Sequence, residues 1–107
     1  MAFEIVLAPQ AIEGLKALRA DFQSSVRDAI ELHLRHEPTR LSRSRIKRLR
    51  GLDRPQYRLR VNEVRVFYDV TETAVEVLAI VPKEQAEVWL AEEATPAAPS
   101  RPGEGEG

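Results

Sequence analysis

Apolar positions along this chain change their spacing partway through, and the change marks out its elements. Phe3-Glu4-Ile5-Val6-Leu7 alternates with period two and predicts a short first strand ending at Pro9. Proline suits the first turn of a helix, where its missing N–H costs nothing. Ala11, Ile12, Leu15 and Leu18 then recur at helical spacing, with Gly14 weakening that helix by roughly 1 kcal/mol relative to alanine. Asp21 predicts an N-cap for a second helix whose apolar face is Phe22, Val26, Ala29, Ile30 and Leu34 and which stops before Pro38. The two helices are close enough in sequence to form an antiparallel hairpin. Residues 39–56 are polar and turn-rich, with Leu41, Ile46, Leu49 and Leu52 as apolar anchors. Period two then returns in Tyr57–Val61, Val64–Val70 and Ala74–Val81, separated by Asn62-Glu63 and by Thr71-Glu72-Thr73. Pro82 closes the third run, and Lys83 to Leu90 predicts a short terminal helix. The order β-α-α-β-β-β plus a short helix is an α+β layout: a three-stranded antiparallel meander, a helical hairpin over one face and the first strand at an edge.

Strand parity turns this layout into a statement about faces. Asparagine tolerates φ > 0, so a two-residue turn at Asn62-Glu63 is expected. Val61 then faces Val64, Arg60 faces Arg65, Leu59 faces Val66, Arg58 faces Phe67 and Tyr57 faces Tyr68. Side chains alternate between faces. Tyr57, Leu59, Val61, Val64, Val66 and Tyr68 therefore meet the helices, while Arg58, Arg60, Arg65 and Phe67 share the open face. A second turn at Glu72-Thr73 puts Leu78 beside Phe67 and Ile80 beside Arg65 on that open face, with Asp69 meeting Glu76 at its far end. Like charges directly opposite each other on a sheet cost stability, and such local conflicts tend to mark functional positions.

Charge sharpens that point. The formal net charge is only -1, but Arg40 to Arg65 holds ten basic residues and two acids. Residues 1–39 and 66–107 are acidic on balance. A basic patch segregated within a nearly neutral chain predicts a polyanionic partner, most simply nucleic acid phosphate. Composition also bounds the rest. The length allows one domain, expected over residues 1–92, followed by a disordered Pro/Gly/Ala-rich tail over 93–107. There is no cysteine, hence no disulfide framework and no thiol nucleophile. No stretch is apolar enough to span a bilayer, and the N-terminus lacks a signal pattern, so a cytoplasmic protein without a membrane partner is expected.

The ordered set Tyr57-Arg-Leu-Arg-Val, Val64-Arg-Val-Phe-Tyr-Asp-Val and Val75-Glu-Val-Leu-Ala-Ile-Val, followed by Lys83, resembles the RelE/ParE toxin superfamily. Lys47-Arg-Leu-Arg-Gly-Leu upstream resembles that family's approach to the first of these strands, and the helical hairpin after a first strand also fits. The resemblance spans residues 3–90 and is nearer to the RelE branch. It implies a type II toxin silenced by a cognate antitoxin. The implied activity is ribosome-dependent endonuclease cleavage of mRNA in the A site, without a cofactor or metal. A ParE-like member would instead inhibit DNA gyrase and cut nothing, and a catalytically inactive relative would only bind its antitoxin. Arg58 and Arg60 match the basic pair of the first meander strand, Arg65 the arginine of the second, and Lys83 the basic residue after the last. Trp89 falls where the family carries a tyrosine, so the site lacks that hydroxyl. By this resemblance an antitoxin segment is expected over exposed apolar side chains such as Leu78 and Ile80.

Metal-free RNA cleavage needs a base for the 2′-hydroxyl, positive charge on the phosphorane and an acid for the 5′ leaving oxygen. Arg65 is the expected phosphate ligand, since a guanidinium binds two oxygens at once. Arg60 adds charge beside it, and Lys83 is an acid, or a base if its neighbours lower its pKa. Arg58, Lys47, Arg48 and Arg50 are expected along the RNA backbone, and Phe67 and Trp89 as platforms for unstacked bases. The general base is not evident from the sequence. Glu84 and Glu87 follow Lys83 but read as solvated helix charges. His33 and His36 without a third ligand make a poor metal site. No glycine-rich phosphate loop and no Ser-His-Asp arrangement is present.

Overall fold

The computed structural model describes residues 2–97. Strand β1, Glu4–Leu7, leads through extended Ala8 into helix α1, Pro9–Ala17, which buries Ala11 and Leu15. The Gln23 side chain donates to the Leu18 carbonyl at 2.8 Å, satisfying backbone at the end of α1 and fixing the turn into the next helix. Helix α2, Ala20–Ala29, begins two residues earlier than the sequence predicts: Arg19 is its extended N-cap, and Asp21 makes no capping bond. Asp21 instead sits in the first turn, where its charge complements the helix dipole, and pairs with Arg19 at 3.2 Å. The helix continues as a π-helical turn, Ile30–Leu34, that keeps Ile30 and Leu34 buried.

The basic connection holds two short strands that period-two reading missed, β2 (Ile46–Arg48) and β3 (Leu52–Arg54). Three residues are too few to show alternation. The meander follows as β4 (Tyr57–Val61), β5 (Val64–Val70) and β6 (Ala74–Pro82). A 3-10 turn, Lys83–Gln85, then leads into helix α3, Ala86–Glu93, and a short strand β7, Thr95–Pro96. The main sheet has the order β1-β6-β5-β4-β2, with β1 parallel to β6 at the edge; β3 and β7 form a separate pair. Thr95 and Pro96, the start of the expected tail, thus lie on the domain, while residues 98–107 of that tail are outside the described residues.

The expected β4–β5 register is the observed one, from Tyr57 opposite Tyr68 to Val61 opposite Val64, and Asn62 has φ 53° as its turn requires. The β5–β6 register departs. Val70 pairs with Val75 and Asp69 with Glu76, but a bulge then sets Tyr68 opposite Val77 and Phe67 opposite Ala79. One extra residue reverses parity beyond it. Ile80 therefore turns inward opposite Val66 and is 1% exposed, and Leu78 is buried as well. Neither is an open apolar surface, so the expected antitoxin contact at Leu78 and Ile80 is not available in this conformation.

The core lies between the helices and the inner sheet face: Val26, Ile30, Leu34, Leu59, Val66, Tyr68, Val75, Val77 and Ile80. Tyr68 is fully buried, stacks on Tyr57 at 5.5 Å between ring centroids and donates its hydroxyl to the Pro38 carbonyl at 2.6 Å. Burial pushes the Tyr68 phenol up, so it stays a neutral donor. This bond pins the end of the helical hairpin to the sheet. Tyr68→Phe strands a buried carbonyl and is expected to cost about 1–3 kcal/mol in urea unfolding. An unchanged midpoint would remove the bond from the account.

Candidate nucleic-acid interface

Two rows of side chains cross the outer sheet face. One runs Lys47, Arg58, Phe67, Ala79 from β2 to β6, and the other Arg60, Arg65, Val81. The register thus gathers Lys47, Arg58, Arg60 and Arg65 at one end of one face. Arg60 is exposed and lies directly opposite half-buried Arg65. Arg65 Nη1 donates to the Asn62 carbonyl at 2.8 Å and to the Val64 carbonyl at 3.2 Å, so the hairpin turn itself orients this guanidinium.

Arg58 is the least comfortable of the group. Its Nε is buried and has no hydrogen-bond partner among the described residues. Burial, then Arg65 and Arg60, push its pKa down. A desolvated cation among cations is costly unless an anion joins it. An anion beside Arg58 would offset that cost.

Lys83 stands at the same end. Its backbone N–H donates to the Glu63 carbonyl at 2.7 Å, tying the end of β6 to the hairpin turn, and its Nζ lies 3.4 Å from Glu63 Oε1. Glu63 is the carboxylate at the arginine end to which sequence reasoning assigned no catalytic role. The signal was present: a turn at Asn62-Glu63 and Val64 opposite Pro82 place residue 63 beside residue 83. The bulge was what hid it, since the register without it is offset by one.

Other expected residues are placed differently. Phe67 is 1% exposed, and its ring stacks on Trp89 with centroids 5.0 Å apart and planes at 8°. Helix α3 thus covers the apolar middle of the outer face, and Phe67 offers no surface to a base. Trp89 spends one ring face on Phe67 and donates Nε1–H to Gln10 Oε1 at 2.9 Å, which joins α3 to α1. Arg48 has the opposite parity to Lys47; its Nη1 donates to the Leu49 and Gln56 carbonyls at 2.8 Å each, and its guanidinium lies 5.3 Å from the Tyr57 ring centroid. It holds the connection together rather than joining the face. Arg50 is exposed in the turn before Gly51, away from the two rows.

Asp69 is not a partner of the cluster either. Its Oδ1 accepts the Gln56 N–H at 2.7 Å, and Oδ2 lies 3.7 Å from Arg54 Nε. Burial raises its carboxyl pKa despite these contacts. Asp69 fastens the connection to the sheet, which leaves Glu63 as the carboxylate at the arginine end among the described residues. His33 is held below the usual imidazole range by burial and then by Arg45. Among the described residues no group of three His, Cys, Asp or Glu side chains is placed to hold a metal.

No family model matches the chain. No curated protein matches it either. Solved structures do. The chain is similar to one in the RelBE2 toxin–antitoxin complex from Mycobacterium tuberculosis (TM-score 0.61, 20% identity, 77% of this chain and 99% of that one). It is also similar to chains in the archaeal RelE–RelB complex from Pyrococcus horikoshii OT3 (0.56, 18%, 78% and 97%) and in the RelB–RelE antitoxin–toxin complex from Methanococcus jannaschii (0.61, 16%, 78% and 96%). At these identities the likeness establishes the shared fold, over nearly the whole length of each relative.

Proposed function

We propose, from a chain that carries the RelE-like toxin fold, that this protein is the toxin of a type II toxin–antitoxin pair. In this reading it cleaves mRNA in the ribosomal A site. The observation that carries the proposal is the uncompensated cationic face, and above all half-buried Arg58 with its unpartnered Nε. A protein that only folds would place neutral or paired side chains there. An antitoxin partner is part of the same reading, because the similar structures are toxin–antitoxin complexes.

In this reading the chemistry is a metal-free transesterification. The 2′-oxygen attacks the adjacent phosphorus, its proton passes to a base, and the bond from phosphorus to the 5′-oxygen breaks as that oxygen gains a proton. The products are a 2′,3′-cyclic phosphate and a 5′-hydroxyl. Arg65, aimed by the turn carbonyls, binds the non-bridging oxygens, with Arg58 and Arg60 adding charge that grows in value as the phosphorane forms. Lys83 protonates the leaving oxygen. Glu63, beside Lys83, takes the 2′ proton and holds the lysine in place. Lys47 extends the contact along the backbone from β2.

End-group analysis of fragments from programmed ribosomes tests this route. Cyclic phosphate and 5′-hydroxyl ends support it, and 3′-hydroxyl with 5′-phosphate ends overturn it. Glu63→Gln is expected to lower the single-turnover rate by about 10²-fold with the fold intact. A wild-type rate would remove Glu63 from the mechanism.

A second reading rests on Trp89. The indole has no hydroxyl to exchange a proton, and its N–H is engaged by Gln10. A ParE-like inhibitor of DNA gyrase would need no such proton. In that case the protein blocks gyrase supercoiling and leaves ribosome-bound mRNA uncut.

A further inference from the structure

A second cationic site lies around the corner from the sheet face. β4 outruns β2 at this edge, since Ile46 pairs with Leu59 and the Arg60 N–H reaches the Arg45 carbonyl at 2.8 Å. The gap beneath is a cleft of about 450 Å³ between the π-helical end of α2 and the tip of the β4–β5 hairpin, lined by polar His33, Ser44, Arg45, Arg60 and Asn62 together with apolar Ala29 and Val61. Among the described residues no carboxylate lines it. The adjoining cleft shares His33 and Arg45 but contains Glu37, which pairs with Arg40 at 3.0 Å, so one of its two arginines is already compensated.

We propose that the cleft of His33, Ser44, Arg45, Arg60 and Asn62 is a second phosphate-binding subsite. It would hold a backbone phosphate of single-stranded RNA next to the one on the sheet-face arginines. The proposal deepens the RNA-binding reading above and rests on it. Arg60 is the link, because it belongs both to the outer row with Arg65 and to this cleft. A strand leaving the arginine face toward the β2 edge therefore meets Arg60 first and Arg45 next. The lining matches a phosphate diester in kind: two guanidiniums for charge, and hydroxyl and amide groups as neutral donors. His33, whose pKa burial and then Arg45 push down, belongs to the same lining. It can donate one N–H to a phosphate oxygen.

Fluorescence anisotropy with a 2′-O-methyl single-stranded RNA, which binds but supplies no nucleophile, tests the subsite by salt titration. One phosphate contact to single-stranded RNA contributes about 0.7 to the slope of log K against log salt. Arg45→Ala is expected to lower the slope by about that amount, while Arg19→Ala, on the helical hairpin, leaves it unchanged. An Arg45→Ala slope equal to wild type overturns the subsite, as does a wild-type protein that does not bind the oligonucleotide. The two readings separate cleanly. A reduced Arg45→Ala slope in a protein that cuts nothing on ribosomes keeps the subsite and removes the nuclease. Cleavage that depends on Arg65 with an unchanged Arg45→Ala slope does the reverse.

Discussion

Under the proposed nuclease function, Arg65→Ala is expected to lower single-turnover cleavage of A-site mRNA by roughly 10²–10³-fold, as when one preorganised donor to a developing oxyanion is removed. No loss of thermal stability is expected beside it. The two halves of this expectation come from different observations. Arg65 is directed by the Asn62 and Val64 carbonyls, so its position is set before any ligand arrives. It also lies opposite Arg60, and removing one of two facing like charges relieves repulsion in the sheet. A merely structural arginine would show the opposite pattern, with activity falling only as far as folding does. Arg65→Lys is expected to fall between, since an ammonium keeps the charge but not the two-pronged contact. Melting curves run beside the kinetics decide the matter. A variant that cuts like wild type, or one that melts markedly earlier, would take Arg65 out of the site.

Gly14→Ala carries the largest expected effect on stability. By helix propensity alone alanine should gain up to about 1 kcal/mol here. The packing opposes it. A Cβ on Gly14 would come 2.1 Å from the Ile80 carbonyl oxygen, and backbone in a sheet cannot swing aside. Helix α1 would have to lift from β6, unpacking Ala11 and Leu15 and pulling Gln10 away from Trp89. Overpacking of this kind typically costs about 1–3 kcal/mol and sometimes more. The upper end is expected because the clash is with main chain. Gly51→Ala is the contrasting case: its φ of +75° is strained for alanine, but nothing lies within 4 Å of the added carbon. A Gly14→Ala protein as stable as wild type in urea would mean that α1 does not rest on β6 in this way.

The same glycine shows what sequence reasoning can and cannot reach. As a residue it reads as a flaw in a helix; only the approach of β6 gives it a purpose. Period-two alternation, by contrast, placed β4 against β5 residue by residue, because a two-residue turn and a buried face leave one register. That is why Arg58, Arg60 and Arg65 were found on one face from sequence alone. The bulge at Leu78 has no local signal among Val75 to Val81, where every residue but Glu76 is apolar and either face could be buried. Missing it misplaced Leu78 and Ile80 and hid the approach of Glu63 to Lys83. Phe67 was on the predicted face but not exposed, because parity says nothing about which helix later lies on that face. The stack of Trp89 on Phe67 depends on α3 folding back over the sheet. Lys47 was expected along the RNA backbone from its charge alone, but its place in one row with Arg58 needed the pairing of β2 with β4.

The RelE-like fold leaves the target of this cationic face as the central claim. Primer extension on mRNA held in translating ribosomes, with purified protein added, addresses it most directly. The account predicts new cuts within the A-site codon that vanish with Arg65→Ala. Intact mRNA, from wild-type protein that still arrests growth, would contradict it and turn attention to gyrase.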